Sequence, residues 1–170
     1  MVDMGYCRNP EDVCLLPGAA EGIRALEEAG FLIVIATNQS GLGRGSITEE
    51  ELAAVNQRLR EELRNKGAEY DALYYCPHRP DENCECRKPK PGLLLKAARD
   101  LGIDLGASYT VGDREWDVQA GRAAGTRTVL ITNGRTPSGT PTTADVVARD
   151  LGDAARLIAN HLNSHTEDSS

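Results

Sequence analysis

Ile23, Leu26 and Ala29 fall on one face of a stretch opened by Pro17 and Gly18 and closed by Gly30, a spacing that predicts an amphipathic helix. The run Phe31 to Ala36 is apolar at every position, as in a strand buried on both faces, and leads straight into Thr37-Asn38-Gln39-Ser40. After the glycine-rich link GLGRG at 41–45, Thr48 and Glu51 form a capping box, and Leu52, Val55, Leu59 and Leu63 carry a second helix to Gly67. A short strand is predicted from Ala72 to Tyr75. Pro91 suits the first position of a helix whose buried face is Leu94, Ala97, Ala98 and Leu101, ending at Gly102. A strand at Tyr109 to Val111, a helix reaching Ala124, strands at Arg127 to Thr132 and Val146 to Val147, and a helix from Asp150 with Leu151, Ala154, Ile158 and Leu162 inward complete the pattern. Residues 1–16 read as irregular. Strand and helix alternate, so the expected class is α/β, with a mainly parallel sheet, helices on both faces and right-handed crossovers.

Length and charge narrow what such a domain does. The 170 residues suit one domain with a single core, read as 1–162, followed by a disordered polar tail at 163–170. A formal net charge of −7, without long basic runs, argues against a general nucleic-acid or anionic-membrane role but leaves room for a small cationic pocket. With aromatics at 4%, no platform for stacking bases is visible. No apolar run reaches membrane-spanning length and the N-terminus lacks a signal-peptide pattern, so a cytoplasmic protein is expected, in which Cys7 and Cys14 stay reduced.

The chemistry concentrates at Cys76 to Gly92, CPHRPDENCECRKPKPG. Cys76-x-His78 and Cys84-x-Cys86 are two pairs of soft or borderline donors joined by a short polar loop, which is what a tetrahedral structural zinc needs. Unrelated clustered thiols are the alternative; disulfides within such close pairs would be strained. Three thiolates on one zinc leave about one negative charge, which Arg87, Lys88 and Lys90 can offset. Those cations can equally meet a substrate. Thr37-Asn38, Cys76 and Asp113 each follow the carboxyl end of a predicted strand, the edge where open parallel sheets bind ligands. There Thr37 offers a hydroxyl, Lys88 a point charge and Arg87 a planar fork, a set suited to a phosphate ester. Asp113 suits magnesium or caps the next helix, and Asp117 either joins it at the metal or orders the loop. GLGRG lacks the Gly-Lys-Ser/Thr ending of a phosphate loop, and is either a flexible connection or a substrate-facing one.

V-D-x-G-Y at Val2 to Tyr6, T-N-Q-S-G at Thr37 to Gly41, C-P-H at Cys76 to His78, C-x-C-R-K-P at Cys84 to Pro89 and V-G-D-x-x-x-D at Val111 to Asp117 together resemble the haloacid dehalogenase (HAD) superfamily of phosphatases. Within it the likeness is nearest to the heptose bisphosphate phosphatases. The histidinol-phosphate phosphatases carry a similar zinc loop, but Ser40, where those tend to have Asp, and the G-Y segment favour the heptose branch. The resemblance implies a Rossmann-like fold and magnesium-dependent hydrolysis of a small sugar phosphate by a monomer. It implies that Thr37 steadies the phosphoryl group and that Lys88 balances charge on it. It further implies that Asp3, Met4, Gly5, Tyr6, Thr37, Asn38, Gln39, Ser40, Arg87, Lys88 and Arg114 meet the substrate. Asp113 would hold Mg2+, and Cys76, His78, Cys84 and Cys86 would hold Zn2+.

One departure stands out. Members of the superfamily begin with an apolar strand ending in D-x-D-G-T, whose first Asp attacks phosphorus and whose second is the general acid and base; neither is in this sequence. Two explanations are open: a longer protein in which Met1 is internal, or a sugar-phosphate-binding protein without catalysis. That strand is central in the family, between those ending at Thr37 and Asp113. Without it the two are expected either to stand about 9–10 Å apart, twice the usual spacing, or to pair directly. Unpaired backbone groups in the interior would leave the chain poorly soluble or partly folded.

Overall fold

The computed structural model describes residues 7–133 and 141–167, with side chains as far as Leu162. Helix α1 (Ala19–Glu28) leads to strand β1 (Val34–Asn38); a single turn, α2 (Ser40–Gly43), and α3 (Glu49–Arg64) cross to β2 (Ala72–Cys76). Then come α4 (Gly92–Leu101), β3 (Tyr109–Gly112), α5 (Glu115–Ala124), β4 (Arg127–Ile131), β5 (Val146–Ala148) and α6 (Leu151–Glu167). The capping box forms as expected: Glu51 N donates to Thr48 Oγ1 at 3.1 Å and Thr48 N to Glu51 Oε2 at 2.8 Å. Every predicted helix and strand is present, with shifted ends.

The shifts have local causes. β1 starts at Val34 rather than Phe31 because Asp71 closes the ladder below it, its carboxylate accepting from Ile33 N at 2.7 Å and its amide donating to Ile33 O at 2.8 Å. Pro91 caps α4 instead of opening it. The GLGRG link is partly helical, and α6 runs past Leu162 to Glu167, into the segment expected to be disordered. Apolar periodicity marks where a helix stops being packed, whereas backbone hydrogen bonds propagate further.

All strand pairs are parallel, yet they form two sheets, β1–β2 and β3–β4–β5. Among the described residues β1 and β3 do not pair directly. β1 is accordingly half-buried at all five positions rather than buried on both faces. The halves are joined through side chains. Leu26 of α1 belongs to the cluster with Val129, Ala154 and Ile158, while Ala20 and Ile23 of the same helix pack with Leu63, Ala68 and Tyr70. Phe31, just before β1, meets Tyr109 of β3 edge-to-face at 5.9 Å. Gly22 lets α1 and α6 touch, since a Cβ there would lie 2.6 Å from the Leu151 backbone.

Candidate active site and metal loop

β2 delivers Cys76 to the carboxyl edge of the sheet, in register with Asn38 at the end of β1, so both motifs sit side by side. From Cys76 the loop turns back and gathers the other three donors. Cys76 Sγ lies 3.5 Å from Cys84 Sγ and 3.6 Å from His78 Nδ1; Cys86 Sγ lies 3.5 Å from Cys84 Sγ and 3.2 Å from His78 Nδ1. All four ligand atoms fall within 4.8 Å of one another. A zinc tetrahedron with Zn–S near 2.3 Å has edges of about 3.5–3.8 Å, so the donor set fits the ion. Burial, then the neighbouring sulfurs of Cys76 and Cys84, push the Cys86 thiol up to about 12, and burial raises Cys76 as well. At Cys84 burial is outweighed by the hydrogen bonds of Cys76 and Cys86, and the thiol is lowered. A divalent cation at the centre would reverse the two rises by favouring thiolate.

The loop is braced on three sides. Lys90 Nζ donates to Asn83 O at 3.2 Å and pairs with Glu85 at 2.8 Å, which makes this cation structural. Gly43 N donates to Pro77 O at 2.9 Å, and a Cβ on Gly43 would stand 2.7 Å from the same oxygen. Close backbone approach therefore accounts for one glycine of the GLGRG link. At Gly92 a Cβ would come within 2.2 Å of Glu85 O. Gly92→Ala is thus expected to push the metal loop off α4 and weaken zinc retention, measured as zinc per chain during dialysis against a chelator; undiminished retention would show that the loop yields without cost.

Immediately after Cys86, the chain presents Arg87 and Lys88 to the strand ends. Asn38 grips the Lys88 backbone at both ends, Nδ2 donating to Lys88 O at 3.2 Å and Oδ1 accepting from Lys88 N at 3.1 Å. The asparagine expected at the substrate is thereby engaged in holding the lysine. Lys88 Nζ donates to Ala36 O at 2.8 Å and pairs with Asp117 Oδ1 at 2.5 Å, with only 14% and 8% of the two side chains exposed. Asp117 Oδ2 also accepts from Arg114 N at 3.2 Å, so of its two expected roles the ordering one is visible. Gly112 permits this, because a Cβ there would collide with Asp117 Cβ at 2.3 Å. Arg87 Nη1 donates to His78 O at 3.4 Å, which sets the guanidinium beside the metal loop.

Thr37, one residue before the end of β1, has its hydroxyl accepting from Gln39 Nε2 at 3.4 Å, and Ser40 is buried at the start of α2. Asp113 does not cap α5, which starts from Arg114; its carboxylate is half-exposed and 3.9 Å from Arg114 Nε. That leaves Asp113 available as a hard oxygen ligand, the form in which magnesium takes one carboxylate and completes its shell with water or phosphate. Among the described residues, the Cys76-His78-Cys84-Cys86 group is the one cluster of three or more metal-capable side chains. Asp3, Met4, Gly5 and Tyr6 lie outside the described residues. Sequence reasoning missed two features here: the Lys88–Asp117 pair, and Trp116, half-exposed with the Arg114 guanidinium 5.7 Å from its ring centre. The spacing holds no sign of the Lys88–Asp117 pair, which depends on how α5 meets the metal loop, whereas the Arg114–Trp116 contact is local to the start of α5.

Parallel strands that bring a cationic pair, a hydroxyl and a half-exposed carboxylate to one edge suit a phosphate-handling α/β hydrolase, and the family described as HAD-hydrolase-like matches residues 85–154. The D-glycero-beta-D-manno-heptose-1,7-bisphosphate 7-phosphatases of Yersinia pestis and Escherichia coli K12 are 39% and 38% identical to this chain, each over 92% of it, covering 88% and 87% of their own lengths. A crystal structure of D,D-heptose 1,7-bisphosphate phosphatase from B. bronchiseptica, complexed with magnesium and phosphate, superposes with a TM-score of 0.82 at 35% identity, covering 92% of this chain and 89% of that one. The chain belongs to the heptose-1,7-bisphosphate 7-phosphatase family of HAD-like hydrolases.

Proposed function

We propose that this chain serves the hydrolysis of the 7-phosphate of D-glycero-D-manno-heptose 1,7-bisphosphate, yielding the 1-phosphate and inorganic phosphate. The observation that carries the reading is the metal loop's delivery of Arg87 and Lys88 to the end of β1, with Asn38 clamping the Lys88 backbone beside Thr37. Bound Mg2+ at Asp113 would supply charge neutralisation for the phosphate. Around it, Lys88 sets a fixed positive charge at the phosphoryl oxygens, with Asp117 keeping its ammonium in place. Thr37 donates its hydroxyl to the same group, and Arg87 and Arg114 hold the sugar phosphate by charged hydrogen bonds. Gln39 and Ser40, and Asp3 to Tyr6, are the further substrate contacts. The zinc would be structural, holding the loop rather than meeting the ester. The protein would work as a cytoplasmic monomer; among the described residues no helix is long and apolar enough to cross a membrane.

A second reading is a sugar-phosphate-binding protein, since the charged groups that Asn38 and His78 hold at the strand ends suffice to grip the ester. Calorimetry and phosphate release with Mg2+, comparing heptose 1,7-bisphosphate with histidinol phosphate, separate the possibilities. Tighter binding and faster release from the bisphosphate are expected; equal or reversed preference would overturn the substrate assignment, and binding without release would select the second reading. Arg87→Ala is expected to weaken bisphosphate binding by about one to two orders of magnitude, as for a lost charged hydrogen bond of about 1.5–3 kcal/mol. Zinc content should not change. Unaltered affinity, or loss of zinc, would make Arg87 a purely structural residue.

A further inference from the structure

The first turn of α5 sends its side chains to three different places, and two of them are inside the fold. Glu115 accepts from Thr142 Oγ1 at 2.8 Å and from Thr143 Oγ1 at 2.6 Å, which ties it to the segment before β5. Asp117 turns inward to Lys88 and is buried. Trp116, between them, stays 48% exposed, the most open aromatic side chain among the described residues, and none of these accepts from its indole N–H. A single exposed apolar side chain is ordinary on a protein surface; this one is set apart by its neighbours. The Arg114 guanidinium lies over the ring, 5.7 Å from its centre, and Arg114 Nε stands 3.9 Å from the carboxylate of Asp113, the proposed magnesium ligand. Asp113, Arg114 and Trp116, each nearly half exposed, thus form one open row where β3 passes into α5.

A bare phosphate ion would use the charged members of that row and leave the indole untouched. The indole adds a flat apolar face with an N–H on its rim, which suits a ligand that continues beyond its phosphate. Guanidinium and ring centre are 5.7 Å apart, so a ligand meeting both carries an apolar face directly beside its phosphate, as a phosphorylated sugar does. The C–H hydrogens of a sugar carry slight positive charge, and the indole face carries the negative part of its quadrupole. Sugar hydroxyls can in turn accept from the indole N–H. We propose, resting on the sugar-phosphate reading of this chain, that Trp116 is a specificity-determining residue: the C–H face of the sugar lies on its ring while Arg114 holds a phosphate oxygen. The ring then discriminates among phosphate esters by what lies beyond the phosphate, a selection that the cations cannot make because every ester offers them the same group.

Trp116 is the sole tryptophan of the chain, so its emission reports on the contact directly. With no Mg2+ added, so that the ester is not turned over, D-glycero-D-manno-heptose 1,7-bisphosphate is expected to shift that emission to shorter wavelength, saturating with the affinity that calorimetry gives. Inorganic phosphate at saturation should leave it unchanged. Trp116→Ala should weaken calorimetric binding of the bisphosphate about tenfold and keep that of inorganic phosphate, and Trp116→Phe should recover most of the loss. Both variants should melt with the parent, since the side chain is half-exposed. A contact made by the ring itself survives removal of Arg114, so adding Trp116→Ala to Arg114→Ala should again cost about tenfold. A loss seen only where Arg114 is present would make Trp116 a mere support for the guanidinium and overturn the proposal. So would an emission that inorganic phosphate shifts as far as the sugar does. A parent that binds the bisphosphate no better than inorganic phosphate would overturn the substrate assignment along with it, whereas a preference that outlives Trp116→Ala would overturn the stacking contact alone.

Discussion

Replacing Lys88 with alanine is expected to cost the chain about 3–5 kcal/mol of stability, because it leaves the Asp117 carboxylate buried without its cation. Asp117 is 6% exposed and its Oδ1 contacts Lys88 Nζ at 2.5 Å, so little water can replace the ammonium. For a chain of this size that corresponds to a fall in Tm of roughly 6–20 °C. Phosphate affinity should fall as well, by the charged-contact increment. The two losses can be told apart. In Lys88→Ala combined with Asp117→Asn, the orphaned charge is gone, so most of the stability should return while phosphate binding stays weak. Thermal melting and phosphate calorimetry of the single and double variants check this. A double variant no more stable than the single one would show that packing of the lysine stem, rather than the ion pair, was lost.

Cys84→Ser is expected to abolish stoichiometric zinc and to loosen the segment that carries Arg87 and Lys88. Structural zinc sites in small peptides contribute apparent binding energies of about 10–16 kcal/mol, on the scale of a whole domain's stability, although here Gly43, Lys90 and Gly92 also brace the loop. The loss should therefore be local. Metal analysis should show one zinc per parent chain and almost none in the variant. Sugar-phosphate affinity should fall with it, although no phosphate contact has been removed. A variant that keeps its zinc, or a parent that has none, would end the zinc assignment; affinity unchanged after zinc loss would show that Asn38, Ala36 and Asp117 hold Lys88 in place without the metal.

The zinc ligands were legible in the sequence because all four lie within eleven residues, Cys76 to Cys86, and short loops close at little entropic cost. The order of helices and strands was legible for a related reason. Periodicities of 3.6 and 2 are local properties, as is the capping box at Thr48 and Glu51. That Thr37, Cys76 and Asp113 stand at strand ends followed from the same local reading. What the sequence by itself determined is therefore the set of elements, the α/β class, the metal loop and the edge on which chemistry would gather.

Tertiary structure alone decided which polar groups are free and which are spent. Asn38 and Lys88 are fifty positions apart, and Asp117 lies in the other half of the fold; nothing in their spacing says that they meet. Their pairing depends on the angle at which α5 leaves β3, set by the close approach at Gly112. The same holds for the sheet. An apolar run such as Phe31 to Ala36 says that a strand wants burial on both faces, while the strands available to pair with its edges are a property of the assembled chain. The burial of β1 stays incomplete because side chains can be covered by any apolar neighbour, whereas strand edges are satisfied only by another strand at the right distance.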